Sequence, residues 1–370
     1  MTVPATSLRP PKVSVVMPAY NRAKEIGAAI DSVLAQTFED IELIVVDDGS
    51  TDATPEIVRA YGDRVRFFQQ KNAGVGAARN AGVRLARGEY LASLDSDDVQ
   101  FPFRLATQVA LLDRSPDAAM VFTDFKEWMH GETITEESTL RTRWLGVTPR
   151  KFDDDLLHHF RSAGKPAGDL VPAEYADRRV YEGMIHSWLC STHITWGCVQ
   201  MARTDAINRV GGHWEAVRAY EDYVVAGEMS KRWPLIYLDV PTCNYRVHPH
   251  QLVGRRRLNG ECFRDALLHC WKADPRFYPL HRDTINAALA TTYAMMGEVE
   301  AVDGNWAAAE DNFRRAIVEW SAVGRRPYAN LLLTAIKHRL PLSRMGLLGK
   351  VLPGFVPMGT NKGRVVQEGD

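Results

Sequence analysis

The first 125 residues alternate between two hydrophobic periods. Residues 13–17 (VSVVM) are a short β-branched run that Pro18 interrupts, after which Ile26, Ile30, Val33 and Leu34 recur at helical spacing. Residues 41–46 (IELIVV) are almost continuously apolar, the pattern of a parallel strand buried on both faces. That run ends in Asp47-Asp48-Gly49-Ser50-Thr51-Asp52, a turn leading into a helix predicted over residues 54–61. Residues 65–68 predict a third strand. Val75, Ala78, Gly82 and Leu85 mark the next helix, and residues 90–94 a fourth strand. This alternation predicts an α/β fold with a mostly parallel central sheet and helices on both faces. Ligands bind such sheets at the carboxyl ends of the strands. Pro18-Ala19-Tyr20-Asn21, Asp47-Asp48 and Asp95-Ser96-Asp97-Asp98 all fall at those ends.

The second half patterns less clearly. Residues 126–180 are polar and charge-mixed, and predict a variable insertion or loop. Within them, Asp153-Asp154-Asp155 reads as a solvated helix start rather than a second metal site. Order returns at residues 191–202 (STHITWGCVQMA), ahead of a helix over 204–210 and the Gly211-Gly212 turn. Glu221-Asp222 opens another helix, with Val224, Val225 and Met229 at helical spacing. Beyond about residue 255, Tyr293, Met296, Gly297, Ala309, Phe313 and Ala316 fit a single tetratricopeptide-type hairpin turning at Gly304-Asn305-Trp306. One such unit cannot bury its own faces. It is expected to pack on the rest of the chain or on a second subunit, with recruitment of a partner protein as the alternative.

Composition narrows the class. The chain has 370 residues, 45% of them apolar and 25% charged, with a formal net charge of −1, which gives no reason to expect nucleic-acid binding. Cys190, Cys198, Cys243, Cys262 and Cys270 are odd in number and contain no Cys-x-x-Cys pair, which favours a reducing, cytoplasmic setting. Cys190, His193 and Cys198 read as buried thiols beside a pocket histidine. The first eleven residues lack a signal-peptide core, and no stretch approaches the roughly 18 apolar residues of a membrane span. Residues 345–358 (MGLLGKVLPGFVPM) are apolar enough either for peripheral membrane contact or for a strap on the protein's own surface.

Three carboxylates in the turn at Asp95, Asp97 and Asp98 are costly unless water or a cation offsets their repulsion. Mg²⁺ and Mn²⁺ prefer oxygen ligands and hold substrate phosphates through one or two carboxylates. A solvated helix-capping turn would look the same. A rival pattern, Gly74-Val75-Gly76-Ala77-Ala78-Arg79 with Asp95 after the next strand, approaches a dinucleotide-binding loop. Against it, Arg79 replaces the last glycine, and the unit comes third in the series rather than first.

In order, VSVVMPAYNR (13–22), IELIVVDDGSTD (41–52), QKNAGVGAARNAG (70–82), ARGEYLASLDSDD (86–98) and AYEDY (219–223) resemble the inverting family 2 glycosyltransferases of GT-A fold, over residues 12–250. The resemblance implies a nucleotide-sugar-binding half (12–125) and an acceptor-binding half (126–255). A tail (1–11), a helical region (256–335) and a strap or tail (336–370) would flank them. It implies a nucleoside diphosphate sugar donor, chiefly UDP-linked, a Mn²⁺ or Mg²⁺ cofactor, and a hydroxyl acceptor on a glycan, lipid-linked saccharide or glycoconjugate of the bacterial surface.

Pro18, Ala19 and Tyr20 would line the base pocket, with Tyr20 stacking on the base. Asp48 would accept the uracil N3–H, or simply favour a helix N-terminus. Arg79 would reach the base or diphosphate, unless it is a surface helical arginine. Asn72 and Lys71 are weaker candidates in the same region, and Glu25 matches an acidic position in the first helix. Asp95 and Asp97 would hold the metal, Asp97 more directly and Asp95 nearer the ribose or sugar, with Ser96 on the nucleotide sugar and Asp98 orienting a water or capping the next helix. Asp222 would be the general base and Glu221 its helper on the acceptor side. Trp196 would stack on a sugar face or serve as a core tryptophan. His248 would ligate the metal, contact the diphosphate or be structural, and Arg246 would share its face.

Two departures stand out: His213-Trp214-Glu215 after the Gly-Gly turn, and Glu228 with Lys231-Arg232 in the following helix. A nucleotidyltransferase, a sugar-nucleotide-binding protein without transfer and a helical scaffold are the competing classes.

Overall fold

The computed structural model describes residues 9–129, 132–133, 160, 164–248, 256–324, 332–333 and 336. The expected alternation is present at the start: β1 (Val13–Ala19), α1 (Ile26–Leu34), β2 (Ile41–Asp47), α2 (Thr54–Arg59), β3 (Arg66–Gln69), α3 (Val75–Leu85) and β4 (Tyr90–Ser93). β1 pairs in parallel with β2 (Val13↔Ile41) and with β4 (Val13↔Tyr90), and β3 joins β2 in parallel. β2 is buried on both faces. Leu43 and Val45 belong to the main core, whereas Ile44 and Val46 pack with Ala78 and Ala81 of α3 on the other side.

β1 runs through Pro18 instead of stopping there. Its ladder with β4 ends at Val16↔Ser93, and Leu94 N–H donates to the Val16 carbonyl. Pro18 has the same parity as Val16 and points to that side, where the ladder has already closed, so its missing N–H strands no partner.

Past β4 the sheet departs from the expected parallel order. β5 (Val99–Gln100), α4 (Arg104–Arg114), β6 (Met120–Met129), β7 (Glu132–Thr133), β8 (Lys165–Pro166), β9 (Arg179–Gly183), α5 (His186–Leu189), β10 (Gln200–Arg203), α6 (Thr204–Arg209), α7 (Glu221–Ser230) and β11 (Leu235–Arg246) follow. The strand order is β3-β2-β1-β4-β10-β6-β11-β9-β8, with β5 on β11 and β7 on β6. β10 lies antiparallel between β4 and β6, so the sheet is mixed. A strand inserted from about 100 residues downstream leaves no local signature.

Gly88 shows how closely the chain packs before β4. A Cβ there would lie 2.5 Å from the Ser14 backbone nitrogen. Ser14 Oγ accepts the Gly88 N–H (2.8 Å) and donates to Glu42 (2.7 Å). Backbone atoms cannot swing aside as a side chain can. Gly88→Ala is therefore expected to destabilise the protein by about 1–3 kcal/mol through overpacking, measured as a lowered thermal midpoint. An unchanged midpoint would show that β1 yields there.

The C-terminal region is helical: α8 (Arg256–Leu267), a π-helical turn (Leu268–Lys272), α9 (Tyr278–Val302) and α10 (Trp306–Ala322). α9 and α10 form the hairpin. Gly304 turns it at φ +81°, and a Cβ on Gly297 would lie 2.5 Å from the Phe313 ring. Cys270 and Trp271 of the π turn meet α7 at Gly227, so the helical region packs on the sheet-bearing part of the same chain. Among the described residues no helix is long and apolar enough to cross a membrane. Residues 345–358 and Asp153-Asp154-Asp155 lie outside the described residues.

Candidate active site

Four loops converge where β1, β2, β3 and β4 end. Asn21 takes φ +51°, an uncommon conformation that asparagine tolerates. Its Oδ1 accepts Thr51 N–H (2.8 Å), and its own N–H donates to Ser50 Oγ (2.9 Å). Arg22 N–H donates to Thr54 Oγ1 (2.8 Å) and Ala23 N–H to Asp52 (3.1 Å), lacing the first loop to the second. Tyr20 is 46% exposed beside this seam, while Pro18 and Ala19 are buried in β1. Glu25 is half-buried at the start of α1 and makes no side-chain cap.

Asp48 faces the third loop. Its Oδ1 accepts from Gln70 Nε2 (2.8 Å) and Ala73 N–H (2.9 Å), and its Oδ2 from Gly74 N–H (2.8 Å). Its helix-terminal role thus serves α3, whose N-cap is Gly74, rather than the helix that follows Asp48 in sequence. Lys71 and Asn72 are exposed on the same loop.

At the end of β4, Asp97 Oδ2 accepts from Arg22 Nε (3.0 Å) and lies 3.1 Å from His248 Nε2. Burial pushes the Asp97 carboxyl up, but His248 and Arg22 outweigh it and hold the group below its ordinary value. Asp95 pairs with Arg79 and keeps 31% of its side chain exposed, whereas Ser96 is buried. Asp98 is fully buried. It neither caps the next helix nor faces solvent: Oδ1 accepts the Arg246 backbone N–H (2.8 Å), anchoring the end of β11. Burial, then Cys198, Asp97 and Asp95, raise Asp98 well above the carboxylate range, and a neutral acid suits that apolar position.

Part of the expected metal-binding set comes together, at Asp97 and His248, while the Asp95 carboxylate is turned to Arg79. Two adjacent carboxylates and an imidazole suit Mn²⁺ or Mg²⁺. Asp97 Oδ2 and His248 Nε2, 3.1 Å apart, would offer such an ion one oxygen and one nitrogen ligand.

Arg79 is 3% exposed, so it is no surface residue. Its Nη2 meets Asp95 and its Nη1 meets Glu221, joining the strand-end turn to the start of α7. It stays charged despite burial because Asp95 and Glu221 flank it. Burial pushes the Glu221 carboxyl up to about 7, with Arg79 opposing the rise and Asp222 adding to it. Asp222, 8% exposed, accepts Gly197 N–H and Tyr223 N–H, each at 2.7 Å. Burial raises its carboxyl as well, again against Arg79. Tyr220, just before this pair, is left-handed at φ +69°. Strained backbone of this kind persists only where its surroundings hold it.

Trp196 corrects one expectation. It is 5% exposed, edge-on to Phe125 and tilted against His193, so it belongs to the wall as a core tryptophan and shows no open face to a sugar. Other contributors escaped the sequence reading. Asn80, beside Arg79, donates to the His213 carbonyl (2.8 Å) and to Glu215 (2.7 Å), and pins the Gly-Gly segment to α3. Gly197 leaves room for Arg79: a Cβ there would lie 2.6 Å from Nη2. Arg22 lay inside the first motif without a role. His193, already read from the sequence as a pocket histidine, is pushed down to about 4 by burial and so kept neutral, 3.8 Å from Asp222.

Residues 14–168 match the family model described as Glycosyl transferase family 2. Over 174 residues, 45% of this chain and 24% of the relative, the sequence is 50% identical to chondroitin synthase of Escherichia coli. The curated relatives at hand are matched over only 15–41% of their own lengths. Among solved structures, S. aureus TarS 1-349 superposes with a TM-score of 0.60 at 17% identity, covering 90% of this chain and 92% of that one. The mannosyltransferase PcManGT of Pyrobaculum calidifontis, solved with GDP-Man and Mn²⁺, gives 0.53 at 21% identity over 93% and 85%. These structural likenesses show the fold. The family match spans the strand-end loops and the acidic turn, and on that ground residues 14–168 are a family 2 glycosyltransferase domain, in a chain whose fold is of the GT-A kind.

Proposed function

We propose that the protein transfers a sugar from a UDP-linked donor to a hydroxyl of a glycan or glycoconjugate, with inversion and with a divalent metal. The observation that carries this reading is Arg79, which ties Asp95 on the donor side to Glu221 on the acceptor side and so brings Asp222 to the same pocket. S. aureus TarS 1-349, solved also with UDP-GlcNAc, and the glycan named in chondroitin synthase support the substrate classes.

The roles follow from chemistry. Exposed Tyr20 offers a ring to stack on the base. A carboxylate has about four acceptor sites, and Asp48 uses three on the third loop, leaving one for a uracil N3–H. Asp97, Asp95 and His248 would hold the metal, which when bound neutralises charge on the leaving diphosphate. Asp222 takes the proton of the acceptor hydroxyl as its oxygen attacks the anomeric carbon in line, and the donor's bond to the diphosphate breaks. The raised carboxyl of Asp222 makes it a better proton acceptor once ionised.

With Mn²⁺ and a panel of sugar nucleotides, UDP release is expected from at least one donor, rising with acceptor and lost on chelation. Metal-dependent binding without release from any donor would mark a sugar-nucleotide-binding protein, and no binding at all would end the reading.

A further inference from the structure

The helical region meets the first turn of α7, the turn that carries Glu221 and Asp222. Trp271, fully buried in the π turn, donates its indole N–H to the Tyr223 hydroxyl (2.8 Å), and that hydroxyl donates to the Leu189 carbonyl. Tyr223 directly follows Asp222, and its backbone N–H holds the Asp222 carboxylate. At the same turn, the Phe263 ring of α8 lies 5.0 Å from Tyr220, the strained residue before Glu221, and 5.5 Å from Tyr223. The contact continues down α7. A Cβ on Gly227 would lie 2.7 Å from Cys270 Sγ, so no larger residue fits between the two elements. Lys231 Nζ reaches Asp274 (3.0 Å) and the Cys270 carbonyl.

A π-helical turn places one extra residue in its ring and re-aims the side chains around it, and such turns recur at functional sites. Here it directs Cys270 and Trp271 together at α7. A left-handed tyrosine persists only where packing over-determines it, and Phe263 supplies part of that packing from outside the family-matched stretch.

We propose that the helical region is a positioning element for glycosyl transfer: Trp271 through Tyr223, and Phe263 through Tyr220, hold the turn that aims Asp222. The inference rests on the reading of Asp222 as the base. Trp271 and Phe263 touch no substrate; they act through the tyrosines. The region is then part of the enzyme's working parts rather than an appended binding module.

The test uses the full chain. Trp271→Phe keeps a ring but deletes the N–H, and Tyr223→Phe deletes the hydroxyl. Each is expected to lower kcat about 3- to 10-fold, the scale of one hydrogen bond, while donor KM and UDP–Mn²⁺ affinity stay within about two-fold. The double variant should lose no more than Tyr223→Phe alone, since both remove the same bond. A purely structural contact would instead lower the thermal midpoint and leave kcat unchanged. If Trp271→Phe does not fold, Tyr223→Phe, which trims a single oxygen, carries the reading alone. Unchanged kcat in folded variants, or an equal loss of donor affinity, would overturn the proposal. Asp222→Asn separates the two readings. If that variant still transfers, the base assignment fails. If it is dead while Trp271→Phe is fully active, only the positioning role fails.

Discussion

Asp222→Asn is expected to lower kcat by about 10²–10⁴-fold, the range a general base contributes, while UDP–Mn²⁺ affinity changes little. The donor-side groups, Asp97, His248 and Tyr20, are not its partners. A cost in stability should accompany the loss. Both carboxylate oxygens of Asp222 accept backbone N–H groups, from Gly197 and from Tyr223. Asparagine offers one acceptor oxygen, so one buried N–H loses its partner at about 1–3 kcal/mol, read as a lower midpoint in a variant that still folds.

The wild-type pH profile adds a sign. Burial raises the Asp222 carboxyl, so the ionised base is depleted as pH falls, and kcat should rise with pH along an acid limb displaced upward from that of an ordinary aspartate. Glu221, raised to about 7 beside it, shapes the same limb. Retained transfer in Asp222→Asn, with the acid limb intact, would move the base elsewhere.

The second large effect is expected at Asp97. Asp97→Asn removes the charge that Arg22 and His248 now share and that would bind the metal. Loss of an outer-shell partner alone costs about 10–100-fold in metal affinity, so loss of a direct ligand should cost at least as much, and transfer should fall below detection. The pocket would then carry Arg22, Arg79 and His248 with one carboxylate fewer. UDP should still bind without metal, and the increment that Mn²⁺ adds should vanish. Calorimetric titration of UDP with and without Mn²⁺ measures both. An unchanged increment would show that the ion is held without Asp97.

Much of the first half was legible in the chain. The alternation of residues 13–94 predicts the four parallel strands, because a strand buried on both faces must be apolar throughout, and Ile44 and Val46 do sit opposite Leu43 and Val45. The acidic turn lies at the end of β4, where the pattern put it. The second half was legible only through its motifs. Antiparallel β10 between β4 and β6 joins segments about 100 residues apart, and no local period reports such a pairing.

Individual side chains divide in the same way. Residue types set the chemistry available: carboxylates at Asp95, Asp97 and Asp222, imidazole at His248, a guanidinium at Arg79. Distance and burial set what each does. Asp98 has the same chemistry as Asp97 but is sealed beneath β11 and holds a backbone N–H. Trp196 could have faced a sugar and instead packs on Phe125. Lys231, a departure from the family pattern, becomes the tie between α7 and Asp274. By itself the sequence determined the strand–helix order and the reactive groups, because hydrophobic period and functional-group chemistry are local properties. Only the tertiary structure decided which acid faces the pocket and what holds α7, because burial and hydrogen-bond partners come from residues distant along the chain.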